Sequence, residues 1–407
     1  MTHRPLTPIL LATALAACGD AEADRAQAAT VDTLPNGALV VHNSGESMWD
    51  SAATWRFVEE TRIGSMEGDG PDVFAEVRDI DVDALGRVWI LDPQSKTIRV
   101  FEADGAFVRT VGRGGAGPGE IEDANGIEFD PYGRLWVQDA GNQRYTLYDT
   151  TGAFITTKRR ESNLFTWTWM GAIATGGRVF DVDIVMPTEP DGETRQVLLE
   201  RDSAGAVRDT FELPEYDELV YEWVSSDGRS RSMVNVPFAP GLSWRVARDG
   251  ALWFGVNDDY RLIRRSAAGD TLLVVEKEWT PLPVRPEDVD SILGQGFYAE
   301  LAERGADMDR SLVPSTRPAW EFFWIDDDGY LWVRLPRENG APERADVFDP
   351  DGYYQGTVTL PEGMSRWAEP VVRGDRYYAV LTDEFDVAYV VTGRIAGREA
   401  GRLESAR

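Results

Sequence analysis

The chain has 407 residues, and its 70 acidic against 41 basic residues give a formal charge of −29. A surface this acidic repels phosphate backbones, which excludes nucleic acid as a partner; it reads as a soluble extracytoplasmic surface, with attraction for cations or basic partners as its functional counterpart. One cysteine excludes a disulfide framework, and the two histidines, His3 and His42, both precede the body of the chain, which excludes a Ser-His-Asp triad, a histidine zinc site and an imidazole base there.

In chain order, Arg4 and the apolar run 6–17 come first, too short to span a bilayer. The run ends Leu15-Ala16-Ala17-Cys18, which resembles the lipobox of bacterial lipoproteins. That resemblance implies cleavage before Cys18, acylation of its sulfur and new amine (palmitate among the chains), and stable anchoring, since two or three chains hold where one would not. Gly19 rather than Asp follows, so an inner-membrane retention signal is absent and the outer membrane is expected. Residues 19–50, rich in Ala, Asp, Thr, Asn and Ser, read as a flexible tether.

The next feature is an internal repeat. Residues 78–105 recur nearly position for position at 125–152, with Gly86 and Gly133 lying 47 residues apart. Each copy runs through a short alternating strand (Ile80, Val82; Ile127, Phe129), then an Asp-to-Gly turn (83–86; 130–133). A strand with a central tryptophan follows (Trp89; Trp136), then a third apolar strand, a second Gly turn and a fourth strand. A period in the forties with four short strands per unit is the signature of a propeller blade. Weaker copies follow around 174–180, 248–254 and 326–333, and 373–393 supplies three strands of a sixth. The missing outer strand is expected at 55–63, closing the ring by hydrogen bonds. The predicted fold class is all-β: a six-bladed propeller over 51–397, preceded by the signal 1–18 and tether 19–50 and followed by a tail, 398–407.

These residues carry a family resemblance. Asp139-Ala140-Gly141-Asn142-Gln143-Arg144 is similar to the Asp-x-x-Asn-x-Arg core of NHL repeats. The loop 112–120 resembles the Gly-x-Gly-Pro-Gly-Glu linker of bacterial six-bladed propeller lipoproteins.

Strand order gives the molecule two unlike faces. The first-to-second and third-to-fourth strand turns are short and crowd a quiet face. The elaborated connections (112–119, 186–194, 214–241 and 281–319) fall on the other, where binding evolves. Segment 281–319 predicts a helix: Pro286-Glu287-Asp288 suits an N-terminus, and Val289, Ile292, Leu293, Phe297, Leu301 and Ala302 form an apolar face, weakened by Gly294 and Gly296. It serves either as a cover for blade edges or as a lid.

Aligning the copies on their turn glycines sets Arg78, Asn125, Trp169, Leu242, Glu321 and Glu369 at the channel mouth. Asn125-Gly126-Ile127 resembles an element of gluconolactonase-like propellers whose Asn is a calcium ligand; that resemblance makes Asn125, Glu321 and Glu369 candidate Ca²⁺ ligands. Arg78 in the same ring favours instead an Arg–Glu pair that plugs the channel. Asp326-Asp327-Asp328-Gly329 reads as a turn rather than a calcium loop. Trp89, Trp136, Trp253 and Trp332 are expected in the core, whereas Trp167, Trp169, Trp223 and Trp244 lie nearer the elaborated face, able to stack on sugars or clasp a peptide. No nucleophile elbow or phosphate loop is present.

The function expected is therefore a monomeric, envelope-anchored binding or scaffold module for a protein, peptide or glycan, needing no cofactor and more a binder than an enzyme. The alternative is a calcium-dependent, lactonase-like hydrolase.

Overall fold

The computed structural model describes residues 28–49, 54–160, 162, 168–185, 195–202, 204–226 and 230–398. Within them the chain forms six four-stranded antiparallel blades. Blade one runs outward from the axis as Asp79–Val82, Val88–Asp92, Thr97–Phe101 and Phe107–Val111. The inner strands of blades two to six are Ala124–Phe129, Ala172–Ala174, Leu242–Val246, Phe322–Ile325 and Val371–Arg373. The outer strand of blade six is Arg56–Ile63, paired antiparallel with Ala388–Ala396, so the first propeller strand lies against the last.

The repeated Asp-x-x-Gly-Arg-x-Trp sequence acts as a clamp. One Asp83 oxygen accepts the backbone N–H groups of Leu85 and Arg87, at 2.9 and 3.1 Å. Its other oxygen accepts Arg87 Nε at 2.7 Å and the indole N–H of Trp89 at 3.1 Å. Asp130 repeats all four bonds with Tyr132, Arg134 and Trp136. In blade five Asp326 keeps the turn and Trp332, but Tyr330 stands where the arginine would be, and Arg398 supplies the guanidinium at 2.7 Å. Asp326-Asp327-Asp328-Gly329 is thus a turn. Trp89, Trp136 and Trp332 are fully buried and Trp253 nearly so, as strand alternation requires of the residue facing the next blade.

The Asp-x-x-Asn-x-Arg segment is a second staple. Asp139 accepts the N–H groups of Glu122 and Asp123, and Arg144 donates to the carbonyls of Ala116, Gly117 and Glu120. The glycine-rich linker is thereby pinned by its own chain.

Two expectations need correction. Residues 29–43 are not a free tether. Ala29–Thr33 and Leu39–Asn43 form a hairpin that extends blade four, with Leu39–Asn43 parallel to its outer strand Thr271–Lys277. Val41 is fully buried. Asn43 donates to the carbonyls of Glu276 and Gly352 and accepts from Tyr354 N–H, tying blade four to blade five. The single predicted helix is two, Pro286–Leu293 and Gly296–Glu303, because Gly294 ends the first and Gly296 takes a positive φ of 53°.

The two long connections fold against each other. Hairpin Val220–Val224/Arg231–Asn235 from the first packs on the helices of the second, and Tyr221, Val236, Val289 and Leu293 form a small core of their own. Asp288 fixes this cap to the propeller: it accepts from Arg285 N–H, pairs with Arg317 at 2.9 Å and accepts Asn339 Nδ2 from blade five at 3.1 Å.

Candidate functional site

All six inner strands border a cavity of about 200 Å³ on the propeller axis. Its polar lining includes Asp79, Asp81, Glu128, Arg245, Arg248 and Asp327, and at its loop-rich end stand Glu369 and Trp367. Trp367 is 71% exposed. Asp81, Glu128 and Arg245 share one register, each opposite the second-strand tryptophan of its blade (Trp89, Trp136, Trp253).

The carboxylates on the blade one and two side solve a backbone problem. An innermost strand has a free edge, and its N–H groups need acceptors. Asp79 accepts Ile127 N–H at 2.8 Å, Asp81 accepts Phe129 N–H at 2.6 Å, and Glu128 accepts Ile173 N–H at 3.0 Å, so each side chain reaches the next blade. Asp81 also meets Arg373 at 3.3 Å. Asp79 and Glu128 receive only backbone donors among the described residues. Burial, outweighing these bonds, pushes Asp79 up to about 7 and Glu128 up to about 8, with the neighbouring carboxylates adding to the shift. Asp81 is raised as well, by burial first, with Arg373 opposing. The arginine side of the channel is paired internally: Arg245 with Glu369, Arg248 with Asp327 at 2.7 Å, and Arg373 with Asp327 at 2.5 Å.

These shifts fix a sign. A carboxyl whose folded-state pKa is raised holds its proton more tightly in the native chain than in the unfolded one. Its stabilising contribution is whole below about pH 4, shrinks above that, and is gone once pH passes the folded values near 7 and 8. Both groups are partly open to channel water, so about 1–2 kcal/mol each is expected. The Asp79→Asn/Glu128→Gln variant, which keeps an acceptor at each site, should therefore gain on the parent chain as pH rises from 5 to 8.5. Melting curves at the two pH values check this, and a constant difference would refute it.

The mouth residues expected from sequence are distributed differently. Trp169 and Glu369 line the cavity, whereas Arg78, Asn125, Leu242 and Glu321 are not among its lining. Arg78 precedes the strand Asp79–Val82 and turns to Glu76 and Asn125, whereas Asp79 and Asp81 line the channel. In blade two a bulge between Ala124 and Gly126 displaces Asn125, which is 1% exposed and accepts from Arg78 at 3.3 Å. Gly126 is required there, since a Cβ would lie 2.6 Å from Trp169 Cβ. Trp169 is itself largely core and donates its indole N–H to Asp181 at 3.2 Å.

Of the candidate calcium ligands, Glu321 meets Arg366 at 3.0 Å and Arg334 at 3.4 Å, Glu369 meets Arg245, and Asn125 meets Arg78. Each thus has a different arginine for a neighbour, and Arg78 pairs with Glu76 rather than with either glutamate. Among the described residues no three His, Cys, Asp or Glu side chains converge as metal ligands. Trp244 is core, and Trp223 donates within the cap to Arg304 O at 2.8 Å. Cys18, Trp167 and the loop 186–194 lie outside the described residues.

Comparison with known proteins agrees on architecture. The family model DUF5128, described as a 6-bladed beta-propeller, matches residues 73–165. A Bacteroides fragilis protein whose name marks it as exported shares 13% identity at a TM-score of 0.50, with 88% of this chain and 99% of that one covered. A member of the DUF4221 family from Bacteroides vulgatus shares 11% at 0.50, with 85% and 99% covered. A gluconolactonase from Xanthomonas campestris shares 12% at 0.39, with 84% and 94% covered. No curated protein matches the sequence. At such identities the likeness speaks to fold alone: this chain is a six-bladed β-propeller, similar in architecture to bacterial propeller proteins.

Proposed function

We propose that this propeller is a binding module of the bacterial cell envelope, anchored through acylated Cys18 at the outer membrane. Its ligand, the end of a glycan or a segment of peptide or protein, seats at the loop-rich mouth of the channel. One observation carries this reading. Asp79 and Glu128 each accept a backbone N–H from the next blade yet border open space, and among the described residues neither forms a salt bridge; a tryptophan ring left mostly bare lines the same cavity. Carboxylates take hydroxyl and ammonium donors, and an exposed indole takes the face of a sugar ring or an apolar side chain. The cavity is smaller than the roughly 300–1,000 Å³ of drug-sized sites, which suits one sugar ring or one side chain. His42, on the outer hairpin between Asp32 and Glu276, is far in the fold from any part in this site.

The test is capture on glycan and peptide arrays by the mature chain. Trp367→Ala, at an exposed position, should lower the signal at least tenfold without moving the melting temperature. Equal capture by the variant would remove the channel mouth from consideration.

A further inference from the structure

The hairpin at 29–43 decides which face an anchored propeller turns to the lipid. In blade four the outer strand Thr271–Lys277 runs from the quiet face, where the 266–270 turn lies, to the loop-rich face, where 281–319 departs. Leu39–Asn43 is parallel to it, with Asn43 opposite Lys277. Ala29 is opposite Asn43 on the antiparallel neighbour, so the chain enters the fold at the loop-rich end. Ser44 N–H and Oγ both bond Ala28 O and hold that entry point closed. The hairpin is not loosely attached, because Val41 belongs to the core shared by blades four and five and Asn43 bridges them.

Ten residue steps lead from Cys18 to Ala28. Fully extended they reach at most about 35 Å. The quiet face stands one strand further off, about 20 Å for the seven residues of the outer strand. We infer that the loop-rich face, with the cap and the channel mouth, is the one turned toward the bilayer, so that the ligand is met in the gap between propeller and membrane. The partner that fits is one displayed at a lipid surface, within a few tens of ångströms of the headgroups. This inference rests on the lipid-anchor reading of Cys18.

The experiment places single fluorophores at the two ends of blade four in the full, acylated chain: Glu278→Cys at the loop-rich end and Ala268→Cys at the quiet turn, both exposed. Acylated Cys18 does not react with the dye. Energy transfer to a headgroup-labelled lipid in phosphatidylethanolamine–phosphatidylglycerol vesicles should be at least twofold more efficient from position 278 than from position 268. Lengthening the tether by about thirty Gly/Ser residues after Asp20 should erase the difference. Equal or reversed efficiencies in the unlengthened chain would overturn the orientation. A Cys18→Ser chain should fail to float with vesicles; if it floats as well as the parent, the anchor itself is wrong, and the orientation falls with it.

Discussion

Asp83→Ala should cost about 3–5 kcal/mol, the range for stranding one partner of a buried ion pair, out of the roughly 5–15 kcal/mol that holds a domain together. The Asp83 side chain is wholly buried and Arg87 is 10% exposed, so the guanidinium cannot recover its loss in water. The indole N–H of Trp89 and two turn N–H groups lose their acceptor in the same step. Asp130→Ala removes the same four bonds but should cost less, because Arg134 is 35% exposed and can be rehydrated. Asp83→Asn, which retains one acceptor oxygen, should fall between alanine and the parent. Denaturant unfolding of the three variants gives this order; equal losses at 83 and 130 would show that burial of the arginine does not set the cost.

Gly393→Ala should act at the seam where the first and last strands of the ring meet. Gly393 lies at a register shift in the pairing of Ala388–Ala396 with Arg56–Ile63. A Cβ there would fall 2.2 Å from the Val58 carbonyl oxygen and 2.5 Å from the Tyr377 ring. Backbone blocks one side and a buried ring the other, so relief requires the strands to part, at about 3 kcal/mol. Gly133→Ala is the contrast: nothing lies within 4 Å of its Cβ, and only its positive φ of 74° resists, a cost of about 1–2 kcal/mol. Hydrogen exchange should show Arg56–Ile63 amides opening first in Gly393→Ala. Protection there equal to that of the parent would mean that the seam does not limit the ring.

Much of this architecture is legible in the sequence because each clamp is local. Asp83, Gly86, Arg87 and Trp89 lie within seven residues, and their 47-residue echo announces the blade. The pattern fades in blades three and four, where Ala174-Thr175-Gly176-Gly177 and Asp249-Gly250 replace the full turn, but a glycine three residues ahead of an aromatic persists at Gly177–Phe180 and Gly250–Trp253. The hairpin at 29–43 carries a readable signal, Pro35-Asn36-Gly37 between an alternating run at 29–33 and an apolar run at 38–41, obscured by its polar neighbours.

The channel carboxylates are less legible. Asp81 and Glu128 occupy one register 47 residues apart, yet polar residues on an inner strand look like any solvent-facing alternation. Asn125-Gly126-Ile127 resembles a calcium-ligand element, while the bulge that turns Asn125 aside is set by Gly126 against Trp169, a contact between blades that no local pattern encodes.

The most direct measurement is titration calorimetry of a ligand taken from the arrays, run at pH 7.5 in two buffers of different protonation enthalpy. A ligand donating to Asp79 and Glu128, whose pKa values sit at about 7 and 8, must change their proton occupancy. The heats should therefore differ between buffers, and the difference should vanish in Asp79→Asn/Glu128→Gln. Identical heats for the parent chain would place the ligand somewhere other than the channel.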